Sequence, residues 1–142
     1  MSMGRLIVIL FLNVSTAFIL TGCYTVSQVN FGNNSGSAVK VQSSQTGKEI
    51  GVPSGKFRKF PHAAGDLIVT TEANGQFKLT AVAPPFLNGY LKKEESFWGP
   101  GYVTLNVVLE SNMELYVLSP NDKALDRKVQ QPDGYPKVGH KM

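Results

Sequence analysis

The sequence predicts an all-β fold, a small antiparallel sandwich or barrel of about seven or eight strands. Short runs of β-branched and aromatic residues alternate with polar residues at a period of two. Glycine, asparagine and proline interrupt these runs roughly every 8 to 12 residues, as in sandwiches and barrels. The spacing leaves no room for the crossover helices of a parallel sheet. We therefore expect the strands to pair antiparallel.

Each strand is predicted from the alternation within its run. In the second run, Val39 and Val41 share one face while Lys40 and Gln42 share the other. The predicted runs are 25–31, 38–42, 48–53, 56–60, 66–72, 76–82, 102–110 and 113–119. Runs of this number and spacing indicate an immunoglobulin-like or transthyretin-like sandwich or a small barrel.

The turns follow from the residues between the runs. The glycine- and asparagine-rich segment 32–37 predicts a hairpin between the first two strands. Residues 45–47 and 53–55 mark two further turns. Ala73-Asn74-Gly75 is the strongest short hairpin signal, since Asn-Gly tolerates the positive φ values of a type I′ turn.

Three stretches fall outside the predicted strands. Residues 84–102 are predicted as a loop between strands. Residues 121–130 are predicted to form at most one or two helical turns, with Leu125 and Val129 on one side. The tail 131–142 is rich in proline and glycine, so we expect it to be extended or disordered.

The start of the chain has the plan of a secretory signal peptide. Arg5 is its only charged residue, followed by the apolar run 6–20 and the small residues Thr21-Gly22. The run has 15 residues, so as a helix it would reach only about 22 Å. A bilayer core is about 30 Å thick. A cleaved leader over 1–22 is therefore favoured over a permanent membrane span.

Cys23 is the only cysteine, so an intramolecular disulfide is excluded. Only two histidines, His62 and His140, are present to complete a zinc site, which is too few. The preceding residues are apolar or small and provide no base to stabilise a thiolate. The stretch Leu20-Thr21-Gly22-Cys23 resembles the lipobox of bacterial lipoproteins, which is Leu, a small residue, Gly or Ala, then Cys.

This resemblance covers residues 1–23 only. It implies that the Cys23 thiol carries a diacylglycerol, that a dedicated signal peptidase cuts before Cys23, and that the new amino group is often acylated, as by palmitate. Two or three acyl chains anchor a protein stably, whereas one binds reversibly. Tyr24, not Asp, follows Cys23, which in Gram-negative members of the family implies the outer membrane, facing the periplasm. The alternative is an ordinary secretory leader that happens to end in cysteine.

Removing residues 1–22 from the 142-residue chain leaves 120, enough for one domain with a real core. We divide it into a lipidated N-terminus with a short tether or first strand (23–36), a β-sandwich (37–120), and a short helix with an extended tail (121–142). The mature chain has 13 Lys or Arg against 10 Asp or Glu. This small excess gives no argument for nucleic-acid binding.

No catalytic constellation is visible in the sequence. Gly47-Lys48 and Gly55-Lys56 both lack the spacing of a phosphate-binding loop, and no Gly-x-Ser-x-Gly motif is present. His62 is predicted as a loop histidine and His140 lies in the tail. The charged run 92–95 is predicted as a solvated hairpin tip or loop rather than a glycosidase acid pair. We therefore expect no enzyme, no cofactor and no bound metal.

Two segments are candidates for binding. The segment 84–102 concentrates five aromatic residues, which suit a sugar ring or a protein partner if exposed, or close one end of the sandwich if buried. The segment 56–62 is basic, which suits anionic headgroups or glycan but equally protects an edge strand from pairing. The candidate residues are Phe86, Tyr90, Phe97, Trp98 and Tyr102 in the first segment and Lys56, Arg58 and Lys59 in the second.

These observations predict an envelope lipoprotein, anchored through Cys23, whose β-sandwich is a non-enzymatic docking or accessory scaffold for an envelope protein partner. The first alternative is a module that binds glycan or another small molecule through the loop 84–102. A hydrolase is the third possibility. Fold class alone does not decide between them.

Overall fold

The computed structural model describes residues 26–61, 65–84, 87, 89–96, 99–121 and 129–142. Every regular element in these ranges is a β-strand, which confirms the all-β prediction. The eleven strands are β1 (Gln28–Asn34), β2 (Val39–Ser43), β3 (Glu49–Val52), β4 (Phe57–Pro61), β5 (Leu67–Thr71), β6 (Gly75–Leu79), β7 (Leu91–Ser96), β8 (Gly99–Glu110), β9 (Glu114–Val117), β10 (Lys137–Val138) and β11 (His140–Lys141). The predicted number of seven or eight strands is therefore wrong.

The strands form two sheets that share one core. Sheet A has the order β10-β9-β8-β1-β4, and β7 also pairs with β8. Sheet B has the order β11-β6-β5-β2-β3. Apolar side chains from both sheets meet in one buried cluster, which includes Phe31, Leu105, Val41 and Val69. This two-layer arrangement is consistent with a β-sandwich.

Sheet A contains one parallel pair, so the expectation of purely antiparallel pairing is wrong for that pair. β1 runs parallel to β8, from Gln28 opposite Thr104 to Asn34 opposite Glu110. Antiparallel pairing was expected because a parallel pair usually needs a crossover helix. Here the chain between the two strands forms β2 to β7, including four of the five strands of sheet B, and these strands make the connection instead.

The predicted hairpin between the first two strands is also wrong, because β1 and β2 belong to different sheets. Asn33 controls this crossing. Its buried side chain donates hydrogen bonds to the carbonyls of Ser37 at 2.7 Å and Val52 at 2.9 Å, and accepts one from the Ser35 amide at 3.0 Å. The amide therefore satisfies the backbone where the chain passes from one sheet to the other.

The predicted hairpin around Asn74-Gly75 is present, since β5 and β6 pair antiparallel. The turn is not type I′ as predicted. Thr71 lies opposite Gly75, and only Gly75, with φ of 77°, has a left-handed backbone there. Residues 72–74 form a three-residue loop, and the left-handed Gly75 follows it as the first residue of β6. The Thr71 hydroxyl accepts the Asn74 amide at 3.0 Å and completes the turn.

The segment predicted as a charged loop tip is strand β7, so that prediction is wrong. Leu91 to Glu94 pair with β8 from Leu105 to Tyr102. β8 has 12 residues, and β9 covers only its Val107 to Leu109 portion. The remaining length of β8 is available to β7. Consecutive charges concealed the strand, since Lys92 and Glu94 lie on one face and Lys93 on the other.

The tail joins the two sheets instead of remaining unpaired. β10 pairs with β9 in sheet A, and β11 pairs with β6 in sheet B. Gly139 lies between them and its amide donates to the Met113 carbonyl at 3.0 Å. A Cβ atom on Gly139 would lie 2.9 Å from that carbonyl oxygen. We call residues 137–141 the C-terminal strap. The predicted helix lies largely in 122–128, outside the described residues.

Candidate functional site

Several predicted site residues lie outside the described ranges. These are Cys23, Phe86, Phe97 and Trp98. His62, predicted as a loop histidine, also lies outside them. The described residues contain no helix long and apolar enough to cross a membrane.

The two described aromatics of the segment 84–102 have different surroundings. Tyr90 is half-buried, packs against the core, and donates a hydrogen bond to the Gln130 carbonyl at 2.9 Å. Tyr102 on β8 is 40% exposed and its hydroxyl bonds to the Glu94 carboxylate. Tyr102 is therefore the described aromatic of this segment that a ligand can reach.

The basic residues of the segment 56–62 do not form one patch. All three are exposed, but Arg58 and Lys59 point to opposite faces of β4, and Lys56 precedes the strand. β4 is the last strand in the hydrogen-bonded order of sheet A, a position where basic side chains discourage edge pairing. Of the three, Lys59 lies on the outer face of the sheet beside other polar groups.

Lys59 and Tyr102 meet at Glu94. The Lys59 ammonium lies 3.3 Å from Glu94 Oε1, and the Lys92 ammonium lies 3.5 Å from the same atom. Gln28 Nε2 donates to Glu94 Oε2 at 3.5 Å. The two segments that the sequence presented as separate candidates therefore share one carboxylate, and that carboxylate stands between two lysines.

The Lys59–Glu94 ion pair crosses the outer face of sheet A. Lys59 is on β4 and Glu94 is on β7, with β1 and β8 between them. In a flat sheet the two strands would stand about 14 Å apart, at about 4.8 Å per strand spacing. The 3.3 Å ion pair therefore joins two side chains that reach towards each other over the hollow above the central strands.

A groove of about 410 Å³ occupies this hollow. Its volume lies within the range of small-molecule sites, about 300 to 1,000 Å³. Its lining is mostly polar, and its charged members are two lysines and one glutamate. The lining residues are Asn30, Phe57, Lys59, Lys92, Glu94, Thr104, Asn106, Pro120 and Asn121.

The floor of the groove is polar and buried. Thr104 is 1% exposed and Asn106 is 5% exposed, although both point away from the core. Asn106 donates to the Pro120 carbonyl at 3.1 Å and accepts a hydrogen bond from Asn30 at 3.2 Å. Gln28 donates to the Thr104 hydroxyl at 2.6 Å. The floor thus consists of two cross-strand hydrogen-bonded pairs, Gln28–Thr104 and Asn30–Asn106, which hold its polar side chains in defined orientations.

The groups around Glu94 favour its ionised form. The hydrogen bond from Tyr102, followed by the hydrogen bond and charge of Lys59, keeps the pKa of the Glu94 carboxyl below its ordinary value despite some desolvation. The same bond to Glu94 raises the pKa of Tyr102. Glu94 is therefore an anion and Tyr102 a neutral donor at neutral pH.

A second hollow, of about 430 Å³, lies on sheet B. Its charged members, Lys40 and Glu72, are exposed. Its buried polar side chain, Thr71, already bonds within its own hairpin turn. The groove on sheet A is the better candidate, because its charges converge over a buried polar floor.

The described residues include no group of three or more His, Cys, Asp or Glu placed to hold a metal ion. His140 lies in β11 at the surface, opposite Lys78. No family model, curated protein or solved structure matches this chain. The groove must therefore be interpreted from its own chemistry.

Sequence reasoning missed Gln28, Asn30, Thr104 and Asn106 as site residues. Each occupies an outer position of an alternating strand, where a polar residue is ordinary. Their place in the site depends on which strands become neighbours, and the parallel β1–β8 pairing was not predicted. No local signal separates these residues from other outward-facing polar residues.

Proposed function

We propose that this chain is a membrane-anchored envelope lipoprotein whose β-sandwich is a non-enzymatic docking or accessory scaffold module. The stretch Leu20-Thr21-Gly22-Cys23, at the end of the apolar run 6–20, carries this proposal. Lipid on Cys23 would hold the sandwich against a bilayer, so the module would act by being kept at the membrane surface. The immunoglobulin-like or transthyretin-like subclass of the sandwich stays a prediction.

The position of Val26 supports a short attachment. Val26 is fully buried in the core and its neighbour Ser27 bonds to the Val103 carbonyl at 3.0 Å. Three Cα–Cα steps separate Cys23 from Val26, a span of at most about 11 Å. A lipid on Cys23 would therefore hold the Val26 end of sheet A close to the membrane surface, with no long tether.

If the source is Gram-negative, the absence of Asp after Cys23 places the proposed anchor in the outer membrane, facing the periplasm. The proposed partner is another envelope protein. Strand β4 supports a contact with an acidic surface of that partner, since it is the last strand in the order of sheet A within the described residues and carries exposed Arg58 and Lys59.

A second candidate function is the binding of glycan or another small molecule. It is favoured by the groove on sheet A, where Tyr102 and Lys59 converge on Glu94 above the buried floor of Thr104 and Asn106. A hydrolase is a weaker proposal. The groove has one carboxylate within its described lining, whereas glycoside hydrolysis uses two.

The anchor is tested by replacing Cys23 with Ser and fractionating cells that express the full chain. We expect the wild-type protein in the membrane fraction, with a mature mass that begins at Cys23 and includes acyl chains. The Cys23→Ser variant should leave that fraction or retain its leader uncut. A matched Ser27→Cys variant keeps Cys23 and should behave as wild type. Wild-type protein with a free thiol and no lipid contradicts the proposal.

A further inference from the structure

Among its described lining residues, the groove on sheet A has one more positive than negative charge. Lys59 and Lys92 both lie beside Glu94, at 3.3 and 3.5 Å from the same oxygen. The side chains of the lysines are 49% and 43% exposed, whereas that of Glu94 is 17% exposed. Glu94 is thus the more recessed charge, and the lysines are the more exposed ones. Two lysines face one carboxylate in the described lining, so a ligand can supply a second carboxylate to them.

Exposed ion pairs are weak and rearrange at little cost. Each lysine can therefore turn from Glu94 towards an incoming anion without unfolding the site. An excess of one charge matches a ligand with one negative charge per bound unit. A densely charged polyanion would instead bring its further charges against Glu94, where like charges repel.

The remaining lining suits hydroxyl groups. Asn30 and Asn121 bring amide groups to the wall above the Thr104 and Asn106 floor, and Glu94 is an acceptor for hydroxyl donors. Phe57 adds a half-buried aromatic surface, and Tyr102 stands beside Glu94 at the rim. Amides, a carboxylate and an aromatic ring together complement the hydroxyls and apolar face of a sugar ring.

We propose that the groove formed by Asn30, Lys59, Lys92, Glu94, Thr104 and Asn106 binds an acidic saccharide, with the sugar carboxylate between the two lysines. The proposal deepens the second candidate function, the binding of small molecules or glycan, and does not depend on the lipid anchor. The sugar hydroxyls contact Glu94 and the amides of the wall.

The groove also lies near the proposed point of attachment. Ser27, four residues after Cys23, bonds to Val103, which directly follows Tyr102. Glu94 lies opposite Tyr102 on the neighbouring strand. A hydroxylated phosphate headgroup would also present one negative charge with hydroxyls. The test must therefore distinguish a sugar carboxylate from a headgroup phosphate.

The test is isothermal titration of the full-length protein, purified with its native N-terminus in detergent, against galacturonate, a sugar with a single carboxylate. Two matched probes isolate the chemistry. The methyl ester of the same sugar keeps the hydroxyls and removes the charge. Glycerophosphoglycerol presents hydroxyls with a phosphate monoanion. We expect saturable binding of the acid, about tenfold weaker binding of the ester, and weaker binding of glycerophosphoglycerol than of the acid.

Variants locate the binding. Lys92→Met and Lys59→Met nearly keep the length of the side chain and remove one ammonium each. Each variant should bind the acid about tenfold more weakly and the ester nearly as well as wild type does. Lys40→Met is the control, because Lys40 is an exposed lysine on the outer face of sheet B. It should bind as wild type does. Thermal unfolding of each variant checks that the fold is retained.

The proposal is overturned if the acid and the ester bind equally, or if neither binds. It is also overturned if glycerophosphoglycerol binds more tightly than the acid, or if Lys40→Met loses as much affinity as Lys92→Met. None of these results bears on the anchor, since membrane fractionation and the mass of the mature chain are measured without any ligand.

Discussion

The outer faces of the two sheets are built from similar residue types but meet solvent in different ways. On sheet A, the outward-facing Thr104, Asn106 and Val108 of β8 are almost fully buried. On sheet B, the corresponding central strands present Lys40 and Thr70, which are exposed and half-buried. In both sheets, outward-facing polar residues alternate with inward-facing apolar residues along the strands. Alternation alone therefore does not explain why the outer face of sheet A is more buried.

The difference follows from side chains that cross the face of sheet A. On sheet A, Lys59 reaches Glu94 from a strand three positions away, and Asn106 bonds to Pro120. On sheet B, the 3.4 Å ion pair between Lys78 and Asp66 does not cross the central strands. Its side chains are 46% and 32% exposed, so it is a surface pair. A stable sandwich does not need a recessed polar face, which is why we propose a binding role for the face of sheet A.

The largest effect is expected from Asn106→Ala on the recessed face. The change removes the donor for the Ser119 and Pro120 carbonyls and the acceptor for Asn30. Leaving such buried groups unpaired should lower the free energy of unfolding by about 2 to 3 kcal/mol. Chemical denaturation measures it.

Thr70→Ala is the matched control, a half-buried polar residue on the outer face of sheet B. It should change the free energy of unfolding by less than about 0.5 kcal/mol. Equal losses for the two variants would mean that the two faces do not differ in the way described above.

The C-terminal strap sets how closely the two sheets meet at one side. Gly139→Ala would bring a Cβ atom within 2.9 Å of the Met113 carbonyl oxygen and 3.3 Å of the Phe77 Cβ. A backbone oxygen cannot move aside as a flexible side chain can. We expect a loss of about 1 to 3 kcal/mol, as for other overpacked sites, measured by denaturation together with faster amide exchange in β10 and β11. Unchanged stability would mean that the strap is not closely packed.

The charge cluster should contribute less than the floor beneath it. Glu94→Gln removes the partner of Lys59 and Lys92, and we expect a loss of about 1 kcal/mol at neutral pH. Lys78→Met breaks the ion pair of Lys78 with Asp66 on sheet B and should cost less than about 0.5 kcal/mol. Measurement at low and high salt separates the charge contribution, because salt screens the exposed pair more strongly.

The pH dependence of the same variant gives a second readout. The folded-state pKa of Glu94 lies below its ordinary value of 4.5, mainly because of Tyr102 and then Lys59. The stabilisation is therefore present above pH 4.5 and is lost as the pH falls through the folded-state pKa. Glu94→Gln should unfold with a weaker dependence on acid than wild type between neutral pH and pH 3. Parallel curves would show that Glu94 is not held in its charged form.

Much of the sandwich could be predicted, because the apolar positions of β2, β5, β6, β8 and β9 alternate and turn residues bound them. The parallel β1–β8 pair could not, since it joins residues such as Asn30 and Asn106 that lie 76 positions apart in the chain. β7 was missed because Lys92, Lys93 and Glu94 look solvated in sequence. The groove depends on the β1–β8 pair and on β7. The sequence therefore pointed to the basic segment 56–62 and the aromatic segment 84–102 as candidates, but not to the floor formed by Thr104 and Asn106.

The smallest effect is a gain at Gly51, on the open face of sheet B. Gly51 lies in edge strand β3 opposite Lys40, and a Cβ atom there would meet nothing within 4 Å. Its φ lies outside the positive range, so a side chain brings no backbone strain. Gly51→Ala should therefore stabilise the fold by about 0.5 kcal/mol, since alanine has fewer unfolded conformations to lose than glycine. The opposite signs expected for Gly51→Ala and Gly139→Ala, measured by the same denaturation experiment, separate an open sheet face from a closely packed crossing. A loss at Gly51 would mean that something covers the outer face of sheet B, and the contrast with sheet A would then fail.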